Sequence, residues 1–264
     1  MPLSLGAVAG GCALLYSTEH SPTKPLWRES DVRCVNLTDG KLLWKLLDFN
    51  LGLSVADGYV VSGNQYDNQI YCIGKGPSST TVSAPQTGIS TGSTLTITGT
   101  VHDESAGTKN AAQRAMFPNG VPAISEINQE AFMEYLYEQQ PYPTSAIGVP
   151  VTLDVIDPNH NLVHLGDVTS DASGLFSFGV NADSLTAGAG TYILIATFPG
   201  SNSYGSSYAE TAFTIESSPT ATATASTPSN LATTADLMTY LAVGVIAIII
   251  AIAIVGMLLL RKHP

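Results

Sequence analysis

Four glutamates at a spacing of four, Glu126, Glu130, Glu134 and Glu138, come nearest to a functional site in this sequence. The surrounding segment, 125–139, reads as a helix. Ser125 is placed to cap it, Glu126 lies in the first turn, and Pro141 stands just past the end. On a helix the four carboxylates fall in one row, while Phe132, Tyr135 and Leu136 give a packing face. Each like-charge step costs an isolated helix about 0.2–0.5 kcal/mol, so the ladder does not serve helix stability. A basic partner or bound cations would offset that cost, and the simpler reading is the solvated face of an acidic surface protein.

Other constellations are weaker. His20, His102, His160, His164 and His263 show neither an HExxH pattern nor close ligand spacing. There is no GxSxG, P-loop or dinucleotide fingerprint, so no catalytic, cofactor-binding or metal residue is assigned and an enzyme is not expected. Asp154, Asp157, Asn159 and Asn161 loosely follow a Ca²⁺ loop but lack its glycine and terminal glutamate, which leaves an Asx-rich turn. Cys12, Cys34 and Cys72 cannot all pair, and none are adjacent or in a CxxC motif. Cys34 and Cys72 sit in similar contexts, Arg-Cys-Val-Asn and Tyr-Cys-Ile-Gly, which predicts equivalent buried strand positions. Asn36-Leu37-Thr38 is an N-glycosylation sequon.

A net charge of −11, with no Lys or Arg between Arg114 and Arg261, excludes nucleic acid as a partner. The 44% hydrophobic content owes much to the uncharged run 237–260. At about 1.5 Å per residue this run spans a hydrocarbon core of about 30 Å as one transmembrane helix. Arg261-Lys262-His263 follows at once, so the positive-inside rule puts the tail, 261–264, in the cytoplasm and the rest outside a cell membrane. Residues 217–236 have Ser or Thr at half their positions, the composition of an extended, O-glycosylated stalk. The expected partners are therefore the membrane, crossed once, and a surface protein or glycan.

Within 78–216, Leu95, Ile97, Gly99 and Val101 alternate with threonines, and Val149, Val151, Leu153 and Val155 alternate likewise. Each pattern is that of a half-buried strand. Turn residues at 157–161 and 171–174 separate further strands near 162–168, 174–180, 190–198 and 208–215. About seven short strands predict an immunoglobulin-like β-sandwich, with the helix near 125–139 as an insertion.

Residues 1–76 contain a repeat. Ala9-Gly10-Gly11 before an apolar run matches Ala56-Asp57-Gly58, and Asp31–Asn36 matches Gln69–Gly74. A period near forty residues signals propeller blades. The phrase RCVNLTDGKLLW, from Arg33 to Trp44, resembles the repeat of quinoprotein-like (PQQ-like) propellers, in which a Trp docks each blade on the next. That resemblance implies a blade-docking role for Trp44. The whole chain is similar to the C-terminal end of archaeal surface proteins with such a propeller, an immunoglobulin-like domain and a membrane anchor. The similarity lies in STEHSPTKPLWR, YDNQIYCIGKGPS and the segment from Gly148 to Tyr208. It does not extend to the quinone, since those dehydrogenases use adjacent cysteines and a Ca²⁺ that this chain does not match.

The expected fold is all-β: a partial propeller of one to two blades, an immunoglobulin-like sandwich with a helical insertion, and one C-terminal transmembrane helix. The N-terminal MPLSLGAVAGGCALLY lacks the basic start of a signal peptide, which predicts that the chain continues a longer protein. The expected function is a membrane-anchored binding or scaffold module. The alternative is a quinoprotein-like enzyme whose active site lies in blades absent from this chain.

Overall fold

Two tight turns organise the first seven strands. Gly10 and Gly11 have φ of 56° and 78°, and Asp57 and Gly58 have 51° and 81°. Positive φ at both central residues is the type I′ geometry, whose twist matches that of the flanking strands. The computed structural model, which describes residues 3–18, 30–50, 52–217 and 233–261, places β1 (Leu3–Ala9) and β2 (Cys12–Ser17) around the first turn. Adding β3 (Asp31–Asn36) and β4 (Leu42–Leu47) completes a four-stranded antiparallel meander. The second turn joins β5 (Leu53–Ala56) to β6 (Tyr59–Asn64), and β7 (Gln69–Ile73) makes a three-stranded meander. The two sheets meet over Leu14, Cys34 and Val60, with Trp44, Leu53, Val55 and Ile73 packed around them. Among the described residues these two meanders form a stack and not a closed ring. Most of STEHSPTKPLWR lies outside the described residues.

Eight strands follow: β8 (Ser78–Ser83), β9 (Ile89–Ser90), β10 (Thr94–Asp103), β11 (Pro150–Ile156), β12 (Leu162–Thr169), β13 (Leu175–Asn181), β14 (Gly190–Phe198) and β15 (Ser207–Glu216). They form a three-stranded sheet in the order β13-β10-β8 and a five-stranded sheet in the order β12-β11-β14-β15-β9. The alternating apolar residues of both sheets face one another. Leu95, Ile97, Val151, Leu153, Val155, Leu194 and Phe198 are all at most 1% exposed. Gly99 holds an inward position of β10, between its sheet neighbours β8 and β13. A Cβ there would lie 2.1 Å from the Thr81 carbonyl oxygen and 2.3 Å from the Phe176 ring, so the alternation needs a glycine at this point.

The insertion between β10 and β11 carries α1 (Ala111–Met116) and α2 (Glu126–Glu138) over a second core of Val121, Ile124, Phe132, Leu136 and Ala146. Ser125 is the N-cap residue of α2, as expected, but its hydroxyl donates to Asn128 Oδ1 at 3.0 Å instead of accepting from a backbone N–H. The helix ends with Gln139 in the left-handed region at φ 58°.

Residues 1–218 form one compact unit and 219–264 another. The second contains α3 (Thr234–Leu260), opened by a capping box in which Thr233 and Asp236 satisfy each other's backbone N–H groups. The cap starts the helix three residues ahead of the apolar run. Its most apolar window has a mean hydropathy of 3.2, and the helix is long and apolar enough to cross a membrane. The stalk expected at 217–236 lies mostly outside the described residues, as do the last three residues of the tail.

Candidate functional site

The glutamate row of α2 does not stand free in solvent. Its first member, Glu126, accepts from the Ser203 N–H at 2.8 Å and the Ser203 hydroxyl at 3.2 Å, tying the helix to the β14–β15 turn. Glu130 meets Lys45 of β4 at 3.5 Å. Glu134 is half-buried, and its carboxyl titrates above the usual range because of burial first and Glu130 second. A hydrogen bond from the Leu47 backbone opposes that rise. Glu138 is 1% exposed, and neither of its carboxyl oxygens has a hydrogen-bond partner. The solvated-face reading is therefore corrected: the row runs along β4 and ends inside the chain.

The place where Glu138 ends is built by the two meanders. Asp48, Phe49 and Asn50, between β4 and β5, are all buried. The Ser62 hydroxyl donates to Asp48 Oδ2, Asn50 Nδ2 donates to Ser62 Oγ, and Asn64 Oδ1 accepts from the Phe49 and Tyr66 N–H groups at 3.3 and 3.0 Å. Asp48 Oδ1 is left without a partner. On β7, Tyr71 donates to Asp67 Oδ2 at 2.7 Å and lies 3.3 Å from the Tyr137 carbonyl oxygen. The Tyr71 and Tyr137 rings meet edge to face at 6.5 Å.

Burial alone disfavours ionisation here, and the neighbouring carboxylates add to it. Glu138 is pushed up to about 9 by burial first, then by Glu134, Asp48 and Asp67. Asp48 is raised to about 6, again by burial, with the Ser62 and Asn50 hydrogen bonds holding it down and Asp67 pushing it up. At neutral pH Glu138 is thus a neutral acid. This bears on how the helix tolerates its ladder: the 130 step has a lysine beside it, and the 134–138 step ends on an uncharged group.

The remaining sequence-derived residues separate. Asn36 ends β3, and its Oδ1 accepts from the Thr38 N–H at 2.8 Å, so the sequon forms an Asx-turn on an exposed hairpin. Trp44 is half-buried opposite Cys34, within the contact between the two meanders. Asp157 Oδ1 accepts from the Asn159 and Asn161 N–H groups at 2.8 Å each, whereas Asp154 pairs with His164 Nδ1 at 2.9 Å. Those carboxylates are occupied within the turn and the hairpin. Among the described residues, no group of three or more His, Cys, Asp or Glu is set to hold a metal ion. The expectation for the cysteines is half corrected: Cys34 is buried, but Cys72 is exposed on the open side of β7.

Lys45, Asp48, Asp67 and Tyr71 belong to the α2 junction yet carry no motif. Their signal in the sequence is slight: a lysine in an apolar strand, and Asp-Phe-Asn just after it.

No protein-family model matches this chain, and no curated protein matches it. Among solved structures it is similar to a tetra-tandem repeat from the extending region of a large adhesion protein, at 16% identity and a TM-score of 0.34, over 81% of this chain and 48% of that one. It is also similar to the native alpha-2-macroglobulin of E. coli, at 16% identity and a TM-score of 0.28, over 78% of this chain and 11% of that one. The fibronectin(III)-like modules of Clostridium thermocellum CbhA match at 12% identity and a TM-score of 0.28, over 79% and 87%. The chain spans about half the length of the first of these and a ninth of the second. Likenesses this distant carry no argument about function.

Proposed function

We propose that this chain is a membrane-anchored surface protein that binds or scaffolds other molecules outside the cell, with the β-sandwich as the membrane-proximal spacer. The observation that carries the reading is the order of parts along the chain: β-rich modules in one compact unit, a Ser/Thr stretch, and then α3 with a basic flank. The two face-packed meanders support reading residues 1–76 as consecutive blades of a PQQ-like propeller, with Trp44 at the contact between them. The Asn36 turn is exposed and open to glycosylation on the outer side.

Topology is the direct test. Protease added to intact cells or right-side-out vesicles is expected to remove everything before about residue 236 and leave a short fragment containing α3 and the RKHP tail. Protection of the β-rich unit would overturn the orientation.

A further inference from the structure

Residues 1–76 are tied to the sandwich and its insertion by two joints that differ in kind. The covalent joint runs from the end of β7 through Gly74 and Lys75, where the Tyr59 hydroxyl reaches the Lys75 carbonyl at 3.4 Å. Gly76 is already fixed to the sandwich: its N–H donates to the Ser203 carbonyl at 2.9 Å, and its own carbonyl accepts from the Gly205 N–H at 2.8 Å.

The second joint is the C-terminal half of α2, seated against β4 and β7. Lys45 meets Glu130, the Leu47 N–H bonds the Glu134 carboxyl, and the Tyr71 hydroxyl reaches the Tyr137 carbonyl. Glu138 enters deepest, 1% exposed and with neither carboxyl oxygen hydrogen-bonded. A charge buried in that state is strongly disfavoured, whereas the neutral acid is tolerated. Among the described residues, the titratable and charged groups that face it are Glu134 on α2 itself, Asp48 after β4, Asp67 in the turn before β7, and Tyr71 of β7. The Tyr71 hydroxyl is already given to Asp67. Lys45 is engaged two turns back at Glu130, and Asp31, which acts on Glu134, is paired with Arg33. A carboxylate at position 138 would therefore sit among like charges.

We propose that the end of α2 is a pH-operated latch: loss of the Glu138 proton unseats it from β4 and β7, and the covalent joint is left to carry the connection. Neither core opposes this, because neither is shared across the joint. One lies between the meanders around Leu14, Cys34 and Val60, and the face of α2 with Phe132 and Leu136 packs within its own insertion. Seated, Glu138 holds its proton up to about 9; returned to water, it ionises near the ordinary 4.5. Asp48, raised to about 6, works in the same sense lower down. Between about pH 6 and 9 the ratio of unseated to seated helix should therefore rise about tenfold per pH unit. The latch is independent of the membrane reading, since both joints lie in the first compact unit.

The test is hydrogen exchange on the full chain in detergent micelles, read at residue level by mass spectrometry from pH 6 to 9. Rates are corrected for the intrinsic pH dependence of amide exchange. In the wild type, the Leu47 amide and those of the last turn of α2, 135–140, are expected to lose protection by about tenfold per pH unit. The strands β2 and β3 of the first meander, and β10 and β11 of the sandwich, should keep theirs. In Glu138→Gln, which keeps the shape and cannot ionise, the junction amides should stay protected throughout; circular dichroism checks its β-structure. Flat wild-type protection would overturn the latch, a result that needs no variant. So would a loss shared by the core strands, which is global unfolding, or a Glu138→Gln profile that follows the wild type.

Discussion

Glu138 is the residue whose behaviour departs most from its type. Burial pushes its pKa up from an ordinary 4.5 to about 9 in the folded chain, so between these values the folded state holds a proton that the unfolded state has released. Stability from this group is therefore full below about pH 4.5 and is lost as pH rises toward 9, at up to about 1.4 kcal/mol per pH unit. Glu138→Gln keeps the shape and cannot ionise. The variant and wild type should melt at similar temperatures near pH 4.5, with the variant progressively more stable as pH rises to 9; a constant difference would mean that Glu138 is solvated. The row of glutamates was legible from spacing alone. Its destination was not, because the groups that receive it come from residues 45–71, and no helical periodicity reports what a helix packs against.

At the scale of elements, equivalent positions in the two meanders make a controlled comparison. Leu14→Ala removes a buried side chain from the contact between the sheets and should cost about 2–4 kcal/mol in a urea melt. Val61→Ala, three residues after the Asp57-Gly58 turn as Leu14 is after Gly10-Gly11 but 39% exposed, should cost less than about 0.5 kcal/mol. Equal losses would show that Val61 is covered as Leu14 is. The strands were legible from alternation and from Gly-Gly and Asp-Gly turns, and the repeat was legible from its cysteine contexts. What failed was the step from equivalence to burial: Cys72 occupies the place of Cys34, but among the described residues no sheet packs on that side of its meander. The insertion helix, Glu126–Glu138, was legible because its period and following proline are local signals.

The whole first unit is held together by the α2 junction as well as by its cores. The sandwich core lies wholly within residues 78–216, so that fragment is expected to fold and melt cooperatively. It lacks the groups of residues 1–76 that bury the end of α2, so Glu138 in the fragment should titrate near the ordinary carboxylate range. Carbon-detected NMR titration of its side chain measures this directly. A value that stays near 9 would place the cause of its shift inside the sandwich and not at the junction. The division into β-rich unit and apolar helix was legible from composition. The joining of the two β-modules through a helix inserted in one of them was not, because it depends on contacts far apart in sequence.

The path of the chain through the sandwich also has a mechanical meaning. The chain comes in at Gly76 and Ser78, where Gly76 bridges Tyr204 and Ser78 bonds Gly205 and Ser207. It leaves after Glu216, at the far end of ten-residue β15, beside Ser90. Tension applied between these points pulls along β15 instead of peeling it from one end. The nine paired positions linking β15 to β14 are then loaded together and must give way together, so the sandwich resists stretching as a strut would.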